Sequence, residues 1–282
     1  MKNAFGANSH YSVLKIVSAL AWGLGYFGMP HIIVRFMGID SVSSIKTARR
    51  IGISWMVVSY IGTFIIGTVG TAYLLNRGIL LNGGEQVANF VTGDSETVFS
   101  VTMQQMYPAF IAGLFLCAIL AASMSTADSQ LLAASSAVSR DIYKGLIKKN
   151  ASEKEVLNIG RFVVFLIALV ALLLSLNPNS SIFGLVSYAW AGFGATFGPL
   201  VLLALYWKGA TAKGAITGMI LGGITVVVWH QIPASVAPIF ALYEILPGFV
   251  VCLVSAVIVS LFDKNKDAEM LVEFDNYKNM AD

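Results

Sequence analysis

The stretch Ala21-Trp22-Gly23-Leu24-Gly25-Tyr26-Phe27-Gly28-Met29-Pro30 decides how this chain is read. It lies inside Ser12 to Phe36, an almost wholly apolar segment long enough to cross a bilayer. Closely spaced glycines followed by proline are poor material for an unbroken helix. Glycine lowers the cost of unwinding, and proline removes a ladder donor. In lipid, freed backbone groups persist only where protein, water or a ligand satisfies them. A break at mid-depth is therefore a candidate place to coordinate an ion or polar substrate. A packing kink is the alternative reading.

Working outward, 57% hydrophobic residues, 12% charged residues and a mean hydropathy of +0.76 exclude an ordinary soluble domain. Seven spans are predicted, at about 12–36, 51–75, 108–139, 160–176, 182–206, 214–230 and 239–262. The fold class is all-α and polytopic, in a cell membrane. The net charge of +3 is no nucleic-acid signature, because the basic residues lie in loops between spans. Cys117 and Cys252 sit within apolar segments and imply no disulfide. Met1 to Tyr11 is polar and the first span is too long for a cleavable signal peptide.

Lysine and arginine placement predicts the orientation. With the C-terminus cytoplasmic, 15 basic residues fall in inner segments and only Lys2, Lys15 and Arg77 in outer ones. The N-terminus of this chain is then outside. The outer connection Asn76 to Met106 is expected to carry short helices, either as a lid or as a solvated connector. The basic stretch Arg140 to Glu155 is expected to be an inner loop, and Asp263 to Asp282 a tail that is a short helix or disordered.

The segment 108–139 spans roughly 46 Å if helical, more than the ~30 Å hydrocarbon core. Its many alanines and Gly113 suit helix–helix packing. Gly194 to Gly198 and the run Gly214, Gly218, Gly222 have the same spacing and read as packing devices. Within 108–139, Ala122, Ser125, Thr126 and Ser129 share one face. The Ser125 and Thr126 hydroxyls and a freed Ala122 carbonyl would offer a hard cation neutral oxygens, by extension from the preference of calcium and magnesium. Alternatively the hydroxyls bond back to the preceding turn. Asp128 requires water, a partner or a function. Trp22 and Tyr26, four apart, share a face that could close over a small apolar or zwitterionic substrate, or simply pack. No nucleotide, metal-cluster or nucleophile motif is present, and an enzyme is disfavoured.

With these residues in hand, the chain resembles the sodium/solute symporter family, and within it the sodium/proline symporters. The similarity is carried by Ala21 to Phe36, Ala48-Arg49-Arg50, Ala122-Ser123-Met124-Ser125-Thr126, Arg140-Asp141-Ile142-Tyr143 and Tyr188 to Ala195. The resemblance implies the inverted-repeat architecture of the leucine-transporter type. Residues 1–206 would be the second five-helix repeat, 207–262 two further helices and 263–282 a cytoplasmic tail. It also implies sodium at Ala122, Ser125 and Thr126, and L-proline at Trp22, Tyr26 and Pro30. Met29 stands where some relatives carry a polar residue. A complete carrier of this type has a first repeat, so the expectation is a C-terminal portion lacking half the site, from a truncated frame or split gene. Its partners would be L-proline, the bilayer and a missing N-terminal half. The competing readings are a non-transporting fragment and a carrier of another solute, such as pantothenate or a sugar.

Overall fold

The computed structural model describes residues 12–78, 97–176, 182–263 and 268–281, and all its described regular elements are helical. In chain order they are α1 (Val13–Ala21), a tight 3-10 turn (Trp22–Phe27), α2 (Pro30–Met37), α3 (Val42–Asn76), α4 (Val98–Met106) and α5 (Ala109–Ser136). A π-helical segment (Ala137–Ile147), α6 (Glu153–Ser175), α7 (Ile182–Tyr206), α8 (Ala212–Gln231), α9 (Ile245–Phe262) and α10 (Ala268–Ala281) follow. Among the described residues six helices are long and apolar enough to cross a membrane, and a seventh span arises if α1 to α2 counts as one, bent by 46°. The break foreseen at Trp22 to Pro30 is thus real.

The elements sort into two compact units: α3 to α6 form one, and α1, α2 and α7 to α10 the other. In the second, α8 and α9 meet along small residues. A Cβ on Gly214 would stand 2.0 Å from Ser260 Oγ, one on Gly218 2.8 Å from Ala256 Cβ, and one on Gly222 2.7 Å from Cys252 Cβ. Small residues four apart on both helices allow this approach, the usual solution where lipid supplies no hydrophobic drive. Thr211 caps α8 by accepting from the Gly214 amide at 3.2 Å, and its own amide donates to Ser260 Oγ at 3.1 Å. The glycine run is a packing device. In the tail, α10 is a helix tied by Asp275 to Lys208 at 2.6 Å.

In the first unit, α4 packs Val98 and Val101 against Leu74 of α3. The expected short helix of the outer connection is therefore present at its end, while residues 79–96 lie outside the described residues. The inner loop placed at Arg140 to Glu155 needs correction. Helix continues to Ile147 as a π-helix, closed by the Lys148 amide donating to Tyr143 O at 2.7 Å, and only Lys148–Ser152 connects. Polarity suggested a loop, but a helix can carry these charges equally well, because its side chains stay exposed to solvent and pair across the turn: Lys148 holds Glu155 at 2.8 Å, and Lys144 and Arg140 hold Glu153. Ser152 then caps α6 by accepting from the Glu155 amide. Of the small residues of α5, Ala112 and Ser135 are buried, whereas Ala118 to Ala127 are exposed.

Candidate functional site

Two groups of residues hold chemistry, one in each unit. The first is the break. Gly25 and Gly28 permit it by close approach to α7: a Cβ on Gly25 would fall 1.8 Å from Trp190 Nε1, and one on Gly28 2.5 Å from Phe193 O. Gly194 answers from the other side, where a Cβ would lie 2.6 Å from Gly25 Cα. Backbone thus meets backbone, and the turn is pressed onto α7. The buried indole of Trp190 donates to Trp22 O at 2.9 Å, so a side chain on another helix satisfies a carbonyl at the break. Tyr243 holds the entry, its amide donating to Ser18 Oγ at 2.9 Å and its hydroxyl to Ser187 O at 2.6 Å.

The aromatic pair read from spacing proves unequal. Trp22 stacks on Trp190 at 5.4 Å, Phe183 at 5.6 Å and Tyr243 at 6.0 Å between ring centroids. It is half-buried and held on several sides. Tyr26 meets Trp190 edge-on at 4.9 Å and is 37% exposed, the more exposed ring of the two. The backbone between them is a 3-10 turn rather than an α-turn, and their common neighbour is what brings them together. Pro30 is exposed at the first position of α2, where a missing amide hydrogen costs nothing. Met29 is buried in the same cluster. Trp190 was legible only as part of a resembling motif. Its role rests on a bond across 168 residues that no local pattern encodes.

The second group lies on α5. Ala122, Ser125 and Thr126 are exposed on an unbroken α-helix. Thr126 Oγ1 donates to Ala122 O at 3.3 Å, and Ser129 Oγ donates to Ser125 O at 3.0 Å. The back-bonding alternative therefore describes Thr126 in this conformation. The 3.3 Å bond is long, and the Thr126 hydroxyl keeps its lone pairs for a cation, whereas the Ala122 carbonyl, already bonded to the helical Thr126 amide and to this hydroxyl, becomes a ligand only when that hydroxyl lets go. Three neutral oxygens in one turn suit weak, reversible capture of a hard cation, completed by water or other oxygens. Asp128, two residues on, is exposed. Among the described residues no group of histidine, cysteine and carboxylates could hold a metal ion.

A helical membrane protein with a span broken at a glycine–proline segment, and hydroxyl oxygens clustered on another span, has the parts of a secondary transporter. A model of the Sodium:solute symporter family matches residues 3–222, and the chain belongs to that family. It is 46% identical over 253 residues to the osmoregulated proline transporter of Bacillus subtilis, covering 90% of this chain and 49% of that one. It is 46% identical over 268 residues to the high-affinity proline transporter of the same organism, covering 95% and 54%. With the sodium/proline symporter of Escherichia coli it shares 45% identity over 259 residues, covering 92% and 49%. The chain spans about half the length of these curated relatives.

Proposed function

We propose that this chain forms part of a carrier that imports L-proline with sodium by alternating access. The observation that carries this reading is the broken span itself, whose sequence also bears the family resemblance. Its Trp22 carbonyl accepts from the Trp190 indole, and Tyr26 is an exposed ring on the same 3-10 turn. Trp22, Tyr26 and Pro30 bind the apolar ring of proline. Ala122, Ser125 and Thr126 contribute oxygens to sodium, which is carried as a co-substrate. Residues 1–206 constitute the second inverted repeat, 207–262 two further spans and 263–282 a cytoplasmic tail, with the start of this chain outside. The identity to proline transporters supports the substrate, and the basic residues on one side of the spans support the orientation.

Labelled L-proline binding to purified protein tests the reading. Binding should require sodium and be displaced by excess L-proline but not by pantothenate or a sugar. Tyr26→Ala should weaken it by roughly 1–3 kcal/mol, because an edge-on ring covering the substrate is lost. Sodium affinity should change less. Displacement by pantothenate, or equal proline affinity in the variant, would contradict the assignment.

A second reading, a membrane segment without transport of its own, draws on the three oxygens of α5. They are fewer than the six or so that hard cations such as calcium commonly take. Coupling requires that ion and solute each bind one conformation better than another. Reconstituted alone in liposomes under a sodium gradient, the chain is expected to accumulate no labelled proline. Saturable, gradient-dependent accumulation would refute that expectation.

A further inference from the structure

Between the π-helical continuation of α5 and the first turns of α6 lies an open cavity of about 600 Å³. Ser136, Ser139 and Arg140 line one side, and Glu153, Gly160 and Arg161 the other. Gly160 shapes it: a Cβ there would come within 3.5 Å of Ser139 Oγ, so the missing side chain leaves that hydroxyl facing open space. Ser139 is only 5% exposed, yet its hydroxyl makes no hydrogen bond with any described residue. The groove is the side from which a ligand reaches this hydroxyl, which has hydrogen-bonding capacity to spare.

The charges around it are unbalanced. Glu153 is held by Lys144 and lies 3.8 Å from Arg140, and Lys148 is drawn to Glu155 at 2.8 Å. The hydrogen bond to Glu155 raises the pKa of Lys148 and commits its charge there. Arg161 has no carboxylate partner among the described residues. Its position is also telling. It stands eight residues into α6, immediately before the uncharged run Phe162 to Leu174, hence at the boundary between apolar core and interface. The same end of the two helices carries Arg140, Lys144, Lys148, Lys149 and Lys154. Basic pockets between spans at this level suit anionic headgroups.

We propose that this groove binds a phosphate group, presented by an anionic phospholipid, with Arg161 and Arg140 as charged clamps and Ser139 donating its hydroxyl proton to a phosphate oxygen. Planar guanidinium groups match phosphate oxygens in pairs. A lipid delivers its phosphate at the depth of Arg161, whereas a soluble phosphate would share the chemistry but arrive from the aqueous end. Glu153 does not close the groove, because Lys144 neutralises it from the α5 side.

Native mass spectrometry of the purified full chain with phosphatidylglycerol or phosphatidylcholine tests this. Phosphatidylglycerol should be retained and phosphatidylcholine not. Arg161→Gln should weaken retention at least about fivefold, and Arg161→Lys should recover much of it, since a surface cation is worth ~1 kcal/mol toward an anionic lipid. Ser139→Ala should weaken it by a smaller factor. Lys149→Gln, on the same end but outside the groove, should leave it unchanged. Excess inorganic phosphate distinguishes the source: lipid retained assigns the headgroup, and lipid displaced assigns a soluble phosphate to the same residues. Equal retention of the two lipids, or equal losses in Arg161→Gln and Lys149→Gln, would overturn the site.

Discussion

Replacing Ser125 and Thr126 together by alanine is expected to raise the sodium concentration for half-maximal L-proline uptake by at least about fivefold, in a complete carrier containing this segment. Each hydroxyl lost removes an oxygen worth roughly 0.5–1.5 kcal/mol net, and the next hydroxyl on that face, Ser129, is one turn away and bonded to Ser125 O. Thr126 is the more informative member. In the structure its hydroxyl donates to Ala122 O at 3.3 Å, a bond weak enough to be surrendered so that both oxygens can turn to a cation. Thr126→Ser keeps the oxygen and should stay near the parent value. Membrane insertion should be unaffected, because both positions are exposed on a continuous helix and alanine is a good helix former. The measurement is the sodium dependence of initial uptake rates at fixed proline. An unchanged dependence in the double variant would remove these residues from any sodium role.

Gly25→Ala should have the largest effect on folding. The new methyl group would lie 1.8 Å from Trp190 Nε1, a distance no relaxation of tenths of an ångström relieves. Trp190 has little room to retreat. Its indole is tied to Trp22 O at 2.9 Å, stacked on Trp22, met edge-on by Tyr26, and 8% exposed. Either the indole bond breaks or the turn lifts from α7, and each exposes unpaired backbone in an apolar setting. Overpacking commonly costs about 1–3 kcal/mol, and loss of a buried hydrogen bond adds to it. Gly23→Ala is the internal control, since nothing stands within 4 Å of a Cβ there. Thermal unfolding in detergent should show a markedly lowered midpoint for Gly25→Ala and little change for Gly23→Ala. Similar midpoints would mean that the glycine contact does not hold the break.

These contrasts separate what local sequence carries from what it does not. Fifty-seven per cent hydrophobic residues in runs of bilayer length determine an all-helical membrane protein, because no other open structure satisfies its backbone in lipid. The glycines and Pro30 determine that one span breaks, since their effects on unwinding and on the hydrogen-bond ladder are intrinsic. The four-residue spacing of Gly214, Gly218 and Gly222 foretold a close helix contact. The partners did not follow from spacing. That Gly25 but not Gly23 is pressed against a neighbour, that Trp22 is pinned while Tyr26 is more exposed, and that Trp190 bonds the Trp22 carbonyl all depend on α7 arriving from 168 residues away. The basic stretch after Ser139 was misread as a loop for the same reason. Its charges look solvated in one dimension, and only the fold brings Glu153 and Glu155 alongside to pair them. Periodicity and propensity are local properties of a chain, but which side chain fills which gap is settled by shape and charge between segments distant in sequence. That choice belongs to the tertiary structure alone.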